Sequence, residues 1–326
     1  MRSLRTLRAA AWYSMTSSIL RRILHAVALL LAVSIAGFAL LRLMPGDFAE
    51  VLLISQMDGH LPSAEALARF SAEHGFDDPL PVQYLRWLGN VLTGDFGTSL
   101  ITRDPVGVEI LLRFGNSLML ASAALALALF LAVPIAIAAA RFPNGLFDRL
   151  AGGVAVLGMS IPGFWYALML ALLFSLVLDW LPSSGFGTWQ HAVLPTLVIG
   201  TATCGIMARY VRSLLLDEAG KPYMRTAAAK GLTPLGALVR HGLPNAVPAI
   251  LTLVGLQFVR IFDGIIIVET LFGWPGIGRL LVESLLSRDF PLIQACFLVI
   301  ATAYVVTNLL VDIAIALFDP RVREVV

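Results

Sequence analysis

Two opposite charges, Arg260 and Asp263, stand inside the long apolar run 246–272. A charge at mid-membrane costs about 2.5–3.5 kcal/mol on insertion scales, so charges kept there serve a purpose. Their i,i+3 spacing puts both on one helix face. That permits a self-neutralised pair, a bond to a partner helix, or a polar patch that meets a charged or zwitterionic solute. Glu269, near the end of the same run, offers a carboxylate for an outer gate or for contact with an external protein. Bond-breaking chemistry finds no support: there is no HExxH pair, no GxSxG elbow, no paired carboxylates in the apolar runs and no GxxxxGK[ST] loop. His25, His60, His74, His191 and His241 are scattered, with no metal-ligand pair at helical spacing. Cys204 and Cys296 lie within apolar runs and read as buried, inert thiols.

The other informative stretch is 223–246, a basic, Ala-rich segment between two apolar runs. Residues 225–235 read as a short helix, with Gly231 breaking it before Leu232, Thr233 and Pro234. A second helical run, 235–241, leads to Leu243 and Pro244. Small side chains admit a close neighbour, and Arg225, Lys230 and Arg240 can meet acidic groups. The same features suit docking on another protein or resting on lipid headgroups.

The elements that position these groups follow from hydropathy. Of 326 residues, 58% are hydrophobic and 13% charged, where soluble domains carry about 25% charged residues. Mean hydropathy is +0.85. The fold class expected is an all-α polytopic membrane protein with six spans near 23–41, 115–140, 150–178, 192–208, 246–272 and 291–318. Pro134, Pro162, Pro195 and Pro248 are breakers within them. Lys and Arg gather at the N-terminus, in 141–149, in 209–240 and at the C-terminus, which places both termini in the cytoplasm. A cleaved signal peptide at 1–45 is disfavoured by the length of the first apolar run and by the spans that follow. A net charge of +2 gives no sign of nucleic-acid binding.

Four regions result: a cytoplasmic N-terminus with the first span (1–43), an extracytoplasmic segment (44–113), a five-helix core (114–318) carrying the loop 213–245, and a cytoplasmic tail (319–326). Two amphipathic helices are expected in the external segment. One starts after Pro62 with Ser63 as N-cap and ends near Gly75. The other covers 82–92, with Val82, Leu85, Leu88, Val91 and Leu92 on one face. The segment suits a docking surface for an external partner, or a small cap over helix ends.

The loop resembles the coupling motif of the inner-membrane permeases of binding-protein-dependent ABC importers: Glu-Ala-Ala, three residues, Gly, nine residues, Ile, one residue, Leu-Pro. Arg225-Thr226-Ala227 takes the first place, Gly231 the Gly, His241 the Ile and Leu243-Pro244 the end. Arg in place of Glu, within RTAxAKGL, is similar to the dipeptide, oligopeptide and nickel branch. Further segments resemble that branch in order: 42–47 (RLMPGD), 78–84 (DPLPVQY), 94–99 (GDFGTS), 269–278 (ETLFGWPGIG), 308–312 (NLLVD, with Asp312) and 319–323 (DPRVR). Arg260 and Asp263 depart from the family, which usually has small or apolar residues there.

The resemblance implies a type I ABC importer permease fold in a bacterial inner membrane. It implies no catalytic residue here, with ATP and Mg held by two separate ABC ATPase subunits. Arg225, Thr226, Ala227, Lys230, Gly231, Leu243 and Pro244 would couple the chain to them. It also implies a second homologous permease, a heterodimer being the usual pairing, and an extracytoplasmic substrate-binding protein. Short peptides are the expected cargo; nickel or a metal chelate, glutathione, opines and oligosaccharides compete. An ion-coupled secondary transporter is the alternative from another class, with Arg260 and Asp263 as its sole mid-membrane candidates and no inverted repeat evident.

Overall fold

A computed structural model describes residues 2–42, 48–57 and 60–318. The expected tail and most of the segment 42–47 lie outside them, as does the side chain of Asp312. Among the described residues the regular elements are helices: α1 (Arg2–Arg42), α2 (Phe48–Gln56), α3 (Ala64–His74), α4 (Leu80–Leu92), α5 (Val106–Arg141), α6 (Leu146–Ser160), α7 (Gly163–Ala171), α8 (Trp189–Ala219), α9 (Pro222–Ala229), α10 (Pro234–Ala237), α11 (Leu243–Leu271), α12 (Ile277–Ser287) and α13 (Phe290–Phe318). π-helical turns extend α7 over Leu172–Val177 and join α10 to α11 over Leu238–Gly242.

Among the described residues, five helical stretches are long and apolar enough to cross a membrane: Leu20–Ala39, Val106–Arg141, Trp189–Ala219, Pro234–Leu271 and Phe290–Val311. The run 150–178 is not one helix. Its chain breaks after Ser160, and Pro162, at ψ 130°, becomes the N-cap of α7. Proline has no N–H to continue the ladder and disfavours helical geometry in the residue before it. Pro134, Pro195 and Pro248 stay inside continuous helices.

Two compact units emerge. The first comprises residues 117–274 with the terminal stretches up to 24 and from 306. Its axis is α8, which packs on α6, α7 and α11 and buries Leu194, Val198, Met207, Val211 and Leu215. Small residues allow close approach. Ala121, Ala124, Ala128, Ala132 and Ala136 form a fully buried stripe along α5. A Cβ on Gly200 of α8 would lie 3.0 Å from the Ala124 carbonyl, and one on Gly205 would lie 3.2 Å from the Ala155 Cα. Such stripes bring membrane helices into van der Waals contact where no hydrophobic drive separates helix from lipid.

The second unit comprises residues 25–116 and 275–305. Val106, Ile110, Ile277, Leu280, Leu292, Ala295 and Cys296 form its main core. Helix α3 has the expected caps: Ser63 Oγ accepts from the Ala66 N–H at 3.2 Å, and Gly75 closes it at φ 67°. The segment 94–99 has a structural purpose. Asp95 accepts from the Gly97 N–H, and Ser99 Oγ accepts from the N–H groups of Ile101 and Thr102 while donating to the fully buried Asp289. Asp289 also accepts from the Leu100 N–H at 3.1 Å. A staple between residues so distant in sequence holds the loop against the start of α13. Asp289→Ala leaves buried donors unpaired, so it should cost about 1–3 kcal/mol. A lower thermal midpoint in detergent is the expected result, and an unchanged one would show the staple idle.

Candidate functional site

The segment 213–245 is an elbow of two helices with a glycine between. Helix α8 ends at Ala219, and Lys221 then Pro222 start α9. Proline suits a first helical position because its missing N–H would be unsatisfied there anyway. The end of α9 is a Schellman motif: the Gly231 N–H bonds the Ala228 carbonyl at 2.9 Å, and the Leu232 N–H bonds the Ala227 carbonyl at 3.2 Å. Gly231 sits at φ 87°, with open space where a Cβ would stand. Thr233 then caps α10, its Oγ1 accepting from the Gly236 N–H at 3.1 Å, and Pro234 takes the first position. The sequence GLTP is a helix stop followed at once by a helix start.

The expected helix 225–235 is therefore shifted, to Pro222–Ala229, with Gly231 as its break. The run beyond it does not end at Leu243-Pro244. It continues through the π-helical turn into α11, so the elbow's second arm and a membrane-length helix are one piece, Pro234–Leu271. The wider turn accommodates Pro244, which has no N–H for the preceding turn.

Helix α9 packs on α10 and the π-helical turn. Met224 and Ala227 are its buried face. Arg225, Thr226, Ala228, Ala229, Lys230 and Gly231 face outward, Leu243 is partly buried and Pro244 is exposed. The expected coupling residues thus divide: Ala227 and Leu243 hold the elbow together, while the others form an exposed surface of small and basic side chains.

Sequence reasoning missed how the elbow is anchored. Glu218, at the end of α8, accepts from both Lys221 Nζ and Tyr223 Oη. Burial together with the Glu218 carboxylate pushes the Tyr223 phenol above the ordinary value. One tyrosine therefore ties α9 to the end of α8. A carboxylate among apolar residues at a helix end was the signal available.

A second anchor joins α6 to α8. Asp148 takes a bidentate bond from Arg212, with Arg212 Nη2 at 2.5 Å from Oδ2, and accepts from the Asn144 N–H at 2.8 Å. The Arg212 hydrogen bond outweighs the opposing effect of burial and holds the Asp148 carboxyl below its ordinary value of 3.8. A depressed carboxyl contributes stability above its unfolded pKa, and that contribution is lost as pH falls through the folded value. Asp148→Asn should therefore melt below the native chain throughout about pH 5–8, and the difference should vanish in acid below the folded pKa. A gap independent of pH would rule out the charge as its source.

On α11, Arg260 and Asp263 are both exposed, and no ion pair joins them. The self-neutralised pair allowed by their spacing does not form. They share an exposed stripe with Leu256, Gly264 and Ile267, and Arg260 lines a cavity of about 360 Å³ with Phe164, Thr203, Ile206 and Gln257.

Glu269 is fully buried, and Ser117 of α5 donates to its carboxylate at 2.5 Å. It belongs to another glycine-closed helix end: the Trp274 N–H bonds the Glu269 carbonyl at 2.9 Å, and Gly273 sits at φ 63°. Trp274, also buried, meets Phe186 edge-on at 4.9 Å. Glu269 is thus buried and bonded to Ser117 of α5 rather than exposed on a surface open to another protein.

Residues 132–324 match the family described as "Binding-protein-dependent transport system inner membrane component". Residues 15–107 match that family's N-terminal component. The glutathione transport system permease protein GsiC of Salmonella paratyphi A is 40% identical over 309 residues, covering 95% of this chain and 99% of the relative. GsiC from Pectobacterium atrosepticum is 38% identical over the same span, and that from Escherichia coli K12 is 37% identical.

Proposed function

The chain belongs to the binding-protein-dependent transport system inner membrane components, and from that premise we propose that it forms half of an import pathway for short peptides, with glutathione the first to test. The family is a multi-helix permease of the bacterial inner membrane, a transporter rather than an enzyme. Six crossings, with α6 and α7 together supplying the third, place both termini and the elbow on the cytoplasmic side. A second, different permease completes the pathway. Two ATPase subunits, which bind ATP and Mg, drive it, and an extracytoplasmic binding protein delivers the cargo.

The observation that carries this reading is the exposed elbow. Its outer face of Arg225, Thr226, Ala228 and Lys230 suits a groove in an ATPase, and its second arm is continuous with α11. A rotation imposed on α9 passes the short Gly231–Thr233 turn and then reaches α11 through one continuous helix, Pro234–Leu271. Arg225, Thr226, Lys230, Gly231 and Pro244 make the outer contact, with Ala227 and Leu243 beneath.

Arg260 and Asp263 are proposed to line the pathway. Exposed opposite charges on a membrane-length helix are unfavourable against lipid, whereas a hydrated path carrying a zwitterion suits both. Glutathione, a tripeptide with an ammonium and two carboxylates, has the complementary groups. Glu269, buried beside Ser117, suits a gate at the end of α11 better than contact with a binding protein.

The test is reconstitution of the chain with its neighbouring permease, ATPases and binding protein in proteoliposomes. Binding protein loaded with glutathione or a dipeptide should stimulate ATP hydrolysis and cargo uptake several-fold over the unloaded protein. Stimulation by nickel or an oligosaccharide alone would overturn the peptide assignment. Uptake without any ATPase would overturn the coupling.

A further inference from the structure

Helix α4 carries two apolar faces, and the chain covers one of them. The expected single face of Val82, Leu85, Leu88, Val91 and Leu92 is split. Leu88 and Val91 turn to the packed side with Tyr84 and Trp87, while Val82, Leu85 and Leu92 are 45%, 65% and 78% exposed. Pro81 and Gly89 lie on that same outward side and add no polar group. Burying such a stripe is favourable by about 1.5–3 kcal/mol for each large aliphatic side chain, so something apolar is expected against it.

The packed side shows at what depth the stripe lies. Tyr84 hydroxyl and Ser34 hydroxyl are hydrogen-bonded at 2.7 Å. Phe38 meets Tyr84 edge-on at 5.6 Å and Trp87 at 5.8 Å. Ser34 and Phe38 belong to the apolar stretch Leu20–Ala39 of α1. At a rise of 1.5 Å per residue, Ser34 is about 7–8 Å inside the end of that stretch. Arg42, just beyond the end, lies over the rings of Phe38 and Phe76 at 5.3 Å each. Helix α4 is therefore strapped to a membrane-length helix where hydrocarbon gives way to headgroups, the level at which Trp and Tyr collect.

The charge pattern agrees. The sequence of α4, LPVQYLRWLGNVL, has Arg86 as its sole charged residue and no acid. Arg86 flanks the apolar stripe, partly exposed and bonded to Asp78 at 2.7 Å. An amphipathic helix of this kind, with its apolar side turned to the acyl boundary and a basic residue at the margin, suits the bilayer interface.

We propose that α4 is a membrane-interface helix whose Val82, Leu85 and Leu92 insert among the lipids around the end of α1. It fixes the depth and tilt of that helix and gives the unit at 25–116 and 275–305 a footing on the bilayer. The proposal requires α1 to cross the membrane; it does not depend on the cargo or on the ATPase contact.

Leu85→Cys and, separately, Leu92→Cys are labelled with bimane in the assembled importer in phosphatidylethanolamine/phosphatidylglycerol nanodiscs. The unsubstituted chain gives the background from Cys204 and Cys296, both buried. Glu73→Cys on the exposed side of α3 is the aqueous control. At both α4 positions, lipid bearing a nitroxide near the headgroup should quench several-fold more than aqueous iodide, with the order reversed at 73. Iodide quenching at 85 and 92 equal to that at 73 would overturn the proposal. Protection from both quenchers would also overturn it, because a protein partner would then cover the stripe.

Discussion

Gly231→Val is expected to cut transport-coupled ATP hydrolysis by an order of magnitude or more, while Gly231→Asn keeps most of it. The difference lies in the backbone. Gly231 holds φ 87° as the residue that closes α9. Residues with a Cβ resist that left-handed region by about 1–2 kcal/mol; asparagine tolerates it and β-branched residues do not. A penalty of that size shifts a local equilibrium about 5–30-fold. Space around the glycine is open, so the expected defect is a misdirected arm rather than a local clash. The complex should still assemble and bind ATP, while loaded binding protein should fail to stimulate hydrolysis. Full stimulation in Gly231→Val would show that the angle between α9 and α10 is not what drives α11.

Arg260→Ala is the second large effect, expected to lower uptake of anionic and zwitterionic cargo about 10–100-fold. A bond to a charged group contributes about 1.5–3 kcal/mol, and each 1.4 kcal/mol is tenfold in an equilibrium. Asp263→Ala should act on cargo with a free ammonium. Neither change should impair co-purification with the partner subunits, because both side chains are exposed and neither forms an ion pair among the described residues. Uptake by proteoliposomes, compared between glutathione and a dipeptide blocked at one end, separates the two charges. Normal uptake of every cargo by both variants would remove the pair from the pathway.

How much of this was legible beforehand differs by the range of the interaction. Ser63 and Gly75 delimit α3, and Gly231 with Thr233 and Pro234 sets the elbow, because caps and left-handed turns depend on a few consecutive residues. Hydropathy marked α1, α5, α8, α11 and α13, because a membrane span is defined by length and composition. At Pro162 the same pattern misled: the run 150–178 is apolar throughout, yet the backbone could not carry one helix across it.

Period, caps and motif spacing are local properties, and they already specify an all-helical membrane permease with a helical elbow between two long apolar helices. The tertiary structure alone decided which side of a two-faced helix is covered, as in α4, where Tyr84 and Trp87 took the side against α1. It alone left Arg260 and Asp263 unpaired despite their spacing, buried Glu269 against Ser117, and joined Asp148 to Arg212 and Ser99 to Asp289. These partners are separated by many residues, and closing such long loops is favourable only once the intervening helices have packed. Their pairing is a consequence of the fold, and no spacing along the chain encodes it.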